Sequence, residues 1–214
     1  YSQISGVKIP VEDAYLTIAT ESRSEIKVKA SRFIGESFLV QSIDEVMLRL
    51  EAVRRQEFQA THHCYAYIVG LPGSQQHKYS DDGEPGGTAG RPIYDTLTGR
   101  RLTNGLVVVT RYFGGTKLGP GGLARAYSDT AREVLELSGE KTNYITRHFR
   151  CDLQFPLYDT WLRELHKLGA TVVDSRFADR VALTMEIRVS QAERLKAAFV
   201  QLTSGKGLLE EVDA

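Results

Sequence analysis

The stretch that most constrains this chain runs from Gly105 to Asp129, GLVVVTRYFGGTKLGPGGLARAYSD. Leu106 to Thr110 is a continuous run of apolar and β-branched residues, which predicts a buried strand. Five glycines follow, Gly114, Gly115, Gly119, Gly121 and Gly122, and a helix is expected to open near Leu123. Arg111, Lys117 and Arg125 flank the glycines. A strand, a glycine loop and a helix with neighbouring cations are what an anion site needs, because the free N–H groups and the dipole at a helix N-terminus favour negative charge. A second reading stays open, in which the glycines serve only positive φ and close backbone approach.

Two nucleotide fingerprints are excluded by spacing. No Gly-Lys-Ser/Thr follows the glycines, as a Walker loop requires. Gly119, Gly121 and Ala124 match a dinucleotide turn, yet Thr110 ends the strand nine residues before Gly119, whereas that turn must follow its strand directly.

The 214 residues suffice for one large or two small domains. With 27 basic and 27 acidic residues, no global field draws the chain to nucleic acid or membrane. The local balance differs: between Gly86 and Arg125 stand Arg91, Arg100, Arg101, Arg111, Lys117 and Arg125 against Asp95 alone. Cys64 and Cys151 have neither metal spacing nor the density of a disulfide scaffold, which points to a reducing, cytoplasmic location. No apolar run approaches the roughly 18 residues of a membrane helix, so no membrane is expected.

Read in order, residues 1–24 are expected to form an irregular arm or edge strand. Ile26 to Val40 alternates as a strand or hairpin. Ser42 and Glu45 form a capping box before a helix with Ile43, Val46, Met47, Leu50 and Val53 on one face. His63 to Val69 is a short strand. Leu71 to Pro92, rich in Gly and Pro, reads as a long loop, and Ile93 to Leu97 as the start of a short helix. Gly139 is a plausible stop for the helix after the glycine loop. Beyond Asn143 the order is β-α-β-β-α-β, with helix stops and caps at Gly169 and at Ser190 with Glu193, which is the ferredoxin-like split unit. The expected class is α+β, with domains over 1–142 and 143–214.

Other candidate chemistry is weaker. In His62-His63-Cys64, adjacent residues of a strand point to opposite faces, so His63 and Cys64 cannot share one site, while His62 could face a cleft and stack on or hydrogen-bond a ligand. The acidic loop Ser80, Asp81, Asp82, Gly83, Glu84 through Thr88 could hold Mg²⁺ on Asp81, Asp82 and Glu84 and so bridge to phosphate. It reads more simply as a turn in which Asp and Gly supply caps and positive φ. No G-x-S-x-G elbow occurs, and no nucleophile and base can be placed together, so no catalytic residue is assigned.

VVVTRYFGGTKLGPGGL closely resembles the signature of the IMPACT/YigZ family, carried here by Arg111, Tyr112, Phe113, Gly114, Gly115, Leu118 and Gly119. Lys29-Ala30-Ser31-Arg32-Phe33, His62-His63-Cys64 and Ser80 to Pro92 agree with it as well. The resemblance implies an amino-terminal domain like the second domain of small-subunit ribosomal protein number five, followed by a ferredoxin-like domain like those of elongation factor G. Both likenesses suggest contact with RNA or the ribosome rather than catalysis. Eukaryotic members relieve translational control by competing for the activator of an initiation-factor kinase, using an RWD domain that these 214 residues do not contain.

The expected function is that of a non-enzymatic cytoplasmic regulator of translation, binding RNA, the ribosome, another polyanion or a regulatory protein. The expected anion contacts are Arg32, His62, Arg91, Arg111, Lys117 and Arg125, with Tyr112 or Phe113 stacking a base, at most one of the two facing the site. The amides around Gly114, Gly115, Gly119, Gly121 and Gly122 would join them, with the acidic loop opposite. The rival readings are an enzyme acting on a small phosphorylated ligand or nucleotide with Mg²⁺, and a protein-interaction module. No other cofactor is expected.

Overall fold

The computed structural model describes residues 13–213. These fall into two compact units, Tyr15–Asn143, and residues 144–213 with Asp13 and Ala14. The first unit contains β1 (Ala14–Ile18), β2 (Ser22–Val28), β3 (Ser31–Leu39), α1 (Ile43–Gln56), β4 (His62–Val69) and β5 (Gln76–Ser80). It continues with α2 (Gly90–Gly99), β6 (Gly105–Tyr112), α3 (Gly119–Ser138) and β7 (Glu140–Tyr144).

Five of these strands form an antiparallel sheet of order β2-β3-β6-β4-β5. β6 takes the centre because it is buried on both faces from Gly105 to Arg111, and both of its edges are paired. On one face α1 packs Val46, Leu50 and Val53 onto Tyr65, Tyr67, Leu106 and Val108. On the other, α2 and α3 bring Ile93, Leu97, Ala126, Tyr127 and Val134 onto Phe33, Cys64, Val107 and Val109. Ser42 caps α1 as expected, its Oγ accepting the Glu45 N–H at 3.2 Å, while Glu45 Oε2 accepts the N–H of Gln41 at 2.7 Å, one residue before the N-cap.

Two expectations are corrected, and a third, the arm or edge strand over 1–24, is resolved to edge strands where it is described. The loop expected over Leu71 to Pro92 contains β5, an edge strand with almost every side chain exposed; without a buried face it carries no period to detect. α3 opens at Gly119 rather than Leu123, because a proline in the first turn has its φ already set for a helix. The arm over 1–24 lies outside the described residues as far as Glu12, but β1 and β2 occupy Ala14–Ile18 and Ser22–Val28, and β1 pairs with β7.

In the second unit β8 (Thr146–Leu153), α4 (Phe155–Leu168), β9 (Thr171–Phe177), β10 (Val181–Arg188), α5 (Ala192–Thr203) and β11 (Leu209–Val212) follow the split pattern. The antiparallel order β11-β8-β10-β9 is that of a ferredoxin-like domain. Trp161, Leu165, Leu195 and Phe199 of the helices pack on Phe149, Cys151, Leu183 and Met185 of the sheet. The helix expected from the Ser190–Glu193 box has its N-cap at Gln191 instead. Val189–Gln191 is a 3-10 turn, Gln191 precedes α5 without a side-chain cap, and the Ser190 hydroxyl is taken by the Asp13 carboxylate.

One buried acid marks a local cost. Glu36 on β3 is 7% exposed, Arg23 reaches its Oε1 at 3.4 Å, and Oε2 has no hydrogen-bond partner among the described residues. Burial raises its carboxyl above the ordinary range, with Arg23 opposing. A raised folded-state value means that the fold prefers the protonated acid, so stability falls as pH rises above the ordinary carboxylate range. Glu36→Gln is therefore expected to raise Tm at pH 7 and to change it little at pH 4. A lower Tm at pH 7 would contradict this assignment.

Candidate functional site

β6 ends with two residues that part company. Side chains alternate across a strand, so Arg111 enters the α2–α3 side of the sheet and Tyr112 the α1 side. Arg111 is only 5% exposed. Its Nη1 donates to Glu84 Oε1 at 2.6 Å and its Nη2 to Ser31 Oγ at 3.3 Å. Its Cζ lies 5.4 Å from the ring centroids of both Phe33 and Phe113. The Tyr127 hydroxyl donates to the same Glu84 oxygen at 2.8 Å. Burial, then the neighbouring Cys64 thiol and Glu84, push the Tyr127 phenol upward, so it stays a donor at neutral pH.

The acidic loop is spent on its own structure. Asp81 Oδ1 accepts the N–H groups of Ala89 and Gly90 at 3.0 and 2.8 Å, and Oδ2 that of Gly87 at 2.9 Å. It thus caps α2, whose N-cap residue Ala89 has no side chain to do so. Asp82, at φ +43°, accepts the His63 N–H at 2.7 Å and pairs with Arg54 at 3.2 Å. Ser80 Oγ accepts the Asp82 N–H, and Thr88 Oγ1 donates to the Pro85 carbonyl. The carboxylates weighed as Mg²⁺ ligands are thus engaged elsewhere. Among the described residues no group of three His, Cys, Asp or Glu could hold a metal.

A cleft of about 460 Å³ opens above the Arg111–Glu84 pair. Thr61, His62, Glu84, Arg111 and Lys117 are its polar lining, and Pro85, Phe113, Leu118, Pro120 and Leu123 its apolar lining. Gly119 and Pro120 belong to the first turn of α3, so the helix N-terminus forms part of the wall, and no side chain caps it. Lys117 is exposed and has no ion pair among the described residues. His62 Nδ1 lies 2.8 Å from the Asp82 carbonyl oxygen. A carbonyl can only accept, so Nδ1 carries the proton and, in the neutral ring, Nε2 carries the lone pair. That Nε2 is 3.9 Å from Glu84 Oε1.

Of the residues expected at an anion site, the cleft gathers His62, Glu84, Arg111, Lys117 and Gly119. Gly121 and Gly122 lie in the same first turn of α3 without lining the cleft. Tyr112 is a correction: its hydroxyl donates to Glu57 Oε2 at 2.7 Å on the far side of the sheet, and Phe113 takes its place in the lining. Arg32 stacks on the Tyr112 ring at 4.3 Å and pairs with Glu25, and Arg91 pairs with Asp95 at 2.7 Å. Arg125 is exposed on α3 and does not line the cleft. Gly114 is a packing residue, since a Cβ there would lie 1.9 Å from the Ala30 carbonyl oxygen. Gly115 has φ +83° and also lies outside the lining. Within the acidic loop only Glu84 and Pro85 reach the cleft; Gly83, at φ +89°, backs His62 instead.

Ser31 and Tyr127 were not foreseen as partners of this site. Each stands at an ordinary strand or helix position, and only the long-range pairing reveals its role. The Cys–His reading has no geometry either. Cys64 is fully buried, its Sγ donates to the Asp81 carbonyl at 3.0 Å, and burial pushes the thiol up.

Two outcomes follow from these contacts. Glu84→Ala leaves the buried Arg111 charge uncompensated and should cost about 3–5 kcal/mol in urea unfolding; a loss below 1 kcal/mol would show that the pair is not held as described. Cys64 and Cys151, the latter pushed up to about 12 chiefly by burial, should both resist iodoacetamide in the native protein and react only on unfolding, as read by mass spectrometry.

Residues 29–135 match the Impact N-terminal domain, and residues 151–206 match a domain of unknown function, DUF1949. IMPACT family member YvyE of Bacillus subtilis (strain 168) is 33% identical over 202 residues, covering 92% of this chain and 91% of that protein. IMPACT family member YigZ of Escherichia coli (strain K12) is 38% identical over 124 residues, covering 57% of this chain and 61% of that protein. A solved structure described as the crystal structure of an hypothetical protein superposes with a TM-score of 0.68 at 26% identity, covering 95% of this chain and 99% of that one. With both domains matched in order and one relative aligned almost end to end, the chain belongs to the IMPACT family.

Proposed function

We propose that this protein is a non-enzymatic cytoplasmic regulator of translation that binds RNA, the ribosome or another polyanion through the cleft beside β6. The observation that carries this reading is the meeting, in one cleft, of the N-terminus of α3, which no side chain caps, and Lys117, which has no ion pair among the described residues, beside the Arg111–Glu84 pair. Helix N-terminal N–H groups and a free ammonium are complementary to a phosphate or carboxylate. The resemblance of the chain's motifs to a family with translational roles gives this chemistry its setting; as an argument from likeness it bears on the role, not on the site.

Affinity for a polyanion is expected to be modest. Glu84 already balances the charge of Arg111, and the whole chain is neutral. In filter binding, Lys117→Ala should weaken retention of every RNA tested alike, because a phosphate contact carries no sequence information. Lys117 is exposed, so the fold is not at risk. Equal retention by wild type and variant, or no retention by either, would remove this site from the reading.

A further inference from the structure

The make-up of the cleft limits what it can hold more tightly than its charge alone. We infer that it receives one phosphorylated nucleoside at a time, either a free nucleoside monophosphate or the terminal nucleotide of an RNA, and not a length of RNA backbone. This inference rests on the anion reading above and narrows it.

Charge is the first argument. A groove that tracks a strand needs a row of cations along it. Here Arg32 and Arg91 are turned to Glu25 and Asp95, and Arg111 is matched by Glu84. What remains is one ammonium, from Lys117, and the partial positive charge of one helix N-terminus, enough for a single phosphate. At Gly121, in the first turn of α3, a Cβ would meet nothing within 4 Å. The part of that turn that reaches the cleft is Gly119 and Pro120, and no side chain caps it.

The rest of the cleft suits a base rather than a second phosphate. Phe113 keeps 46% of its surface exposed at the cleft, held against the Arg111 guanidinium, and Leu118, Leu123 and Pro85 continue the apolar wall. An inorganic anion would leave that wall bare, whereas a flat ring would cover it. With the ring neutral, His62 offers Nε2 as an acceptor, because its Nδ1 proton is committed to the Asp82 carbonyl. Such an acceptor matches an exocyclic amine, a ring N–H or a ribose hydroxyl. A cleft of about 460 Å³ lies within the range of small-ligand sites.

Calorimetric titration of the full chain with inorganic phosphate and with AMP, GMP, CMP and UMP tests this. At least one nucleotide should bind about five- to a hundredfold tighter than phosphate, the gain expected of one base–aromatic stack. Phe113→Ala should bring that ratio near one while Phe113→Tyr restores it, and Lys117→Ala should weaken phosphate and nucleotide together. Short single-stranded RNAs with and without a 5′-phosphate distinguish the two sources. Preference for the phosphorylated end assigns an RNA terminus, and equal, weak binding of both assigns the free nucleotide. For an RNA that does bind, the slope of log K against log salt should be close to −0.7, that of one phosphate contact. Equal affinity for phosphate and all four nucleotides overturns the inference. RNA binding with a slope of about −3 and no response to Phe113→Ala overturns it while leaving the polyanion reading intact. If neither nucleotide nor RNA binds, both fall.

Discussion

The first unit depends on a carboxylate and a guanidinium that have both been taken out of water. Burying Glu84 and Arg111 carries a large desolvation cost, which their mutual attraction offsets only with good geometry and further hydrogen bonds. Tyr127 and Ser31 supply those bonds, so one ion pair ties together the end of β6, the start of β3, the acidic loop and α3. It also guards register. A slip of β6 by one residue would exchange Arg111 for Tyr112 and place a phenol where Glu84 needs a cation. The pair therefore defines which edge of the sheet faces the cleft as much as it stabilises the packing.

Much of this was legible in the chain, and the reasons differ by element. β6 carries a continuous apolar run, and α1 and the ferredoxin-like unit strongly periodic ones, and those patterns follow directly from burial of both faces or of one. β5 was not legible because a short strand with exposed side chains has no period to show, and β1, five residues with burial only at Thr17 and Ile18, is too short to show one. At the site, the glycine loop and its cations stood out, and the cleft does form there. The partnerships did not. That Asp81 would cap α2 and Glu84 would neutralise Arg111 depends on contacts 9 and 27 residues apart in sequence, which no local pattern encodes.

The glycines divide along the same line. Gly90 lies so close to Ser80 that a Cβ would fall 2.7 Å from its backbone, which is a matter of packing α2 onto β5. Gly114 answers a similar demand from Ala30. Those at the start of α3 answer to no neighbour of this kind, apart from Gly122 beside Leu118. A glycine-rich loop read as one motif is thus two devices in sequence, one that lets backbones touch and one that leaves a helix end open.

The strand order has a consequence for how the chain is made. β2–β3 and β4–β5 are hairpins of near neighbours, yet in the sheet they never touch each other, because β6 lies between them. In a chain emerging from the ribosome the residues of both hairpins are complete before the strand that joins them exists. Each then presents a bare inner edge until Tyr112 has been synthesised and has cleared the exit tunnel, and a bare edge is a template for pairing with another chain. The five-stranded sheet can therefore close only once β6 is available, and until then the inner edges of β3 and β4 have no partner within the sheet.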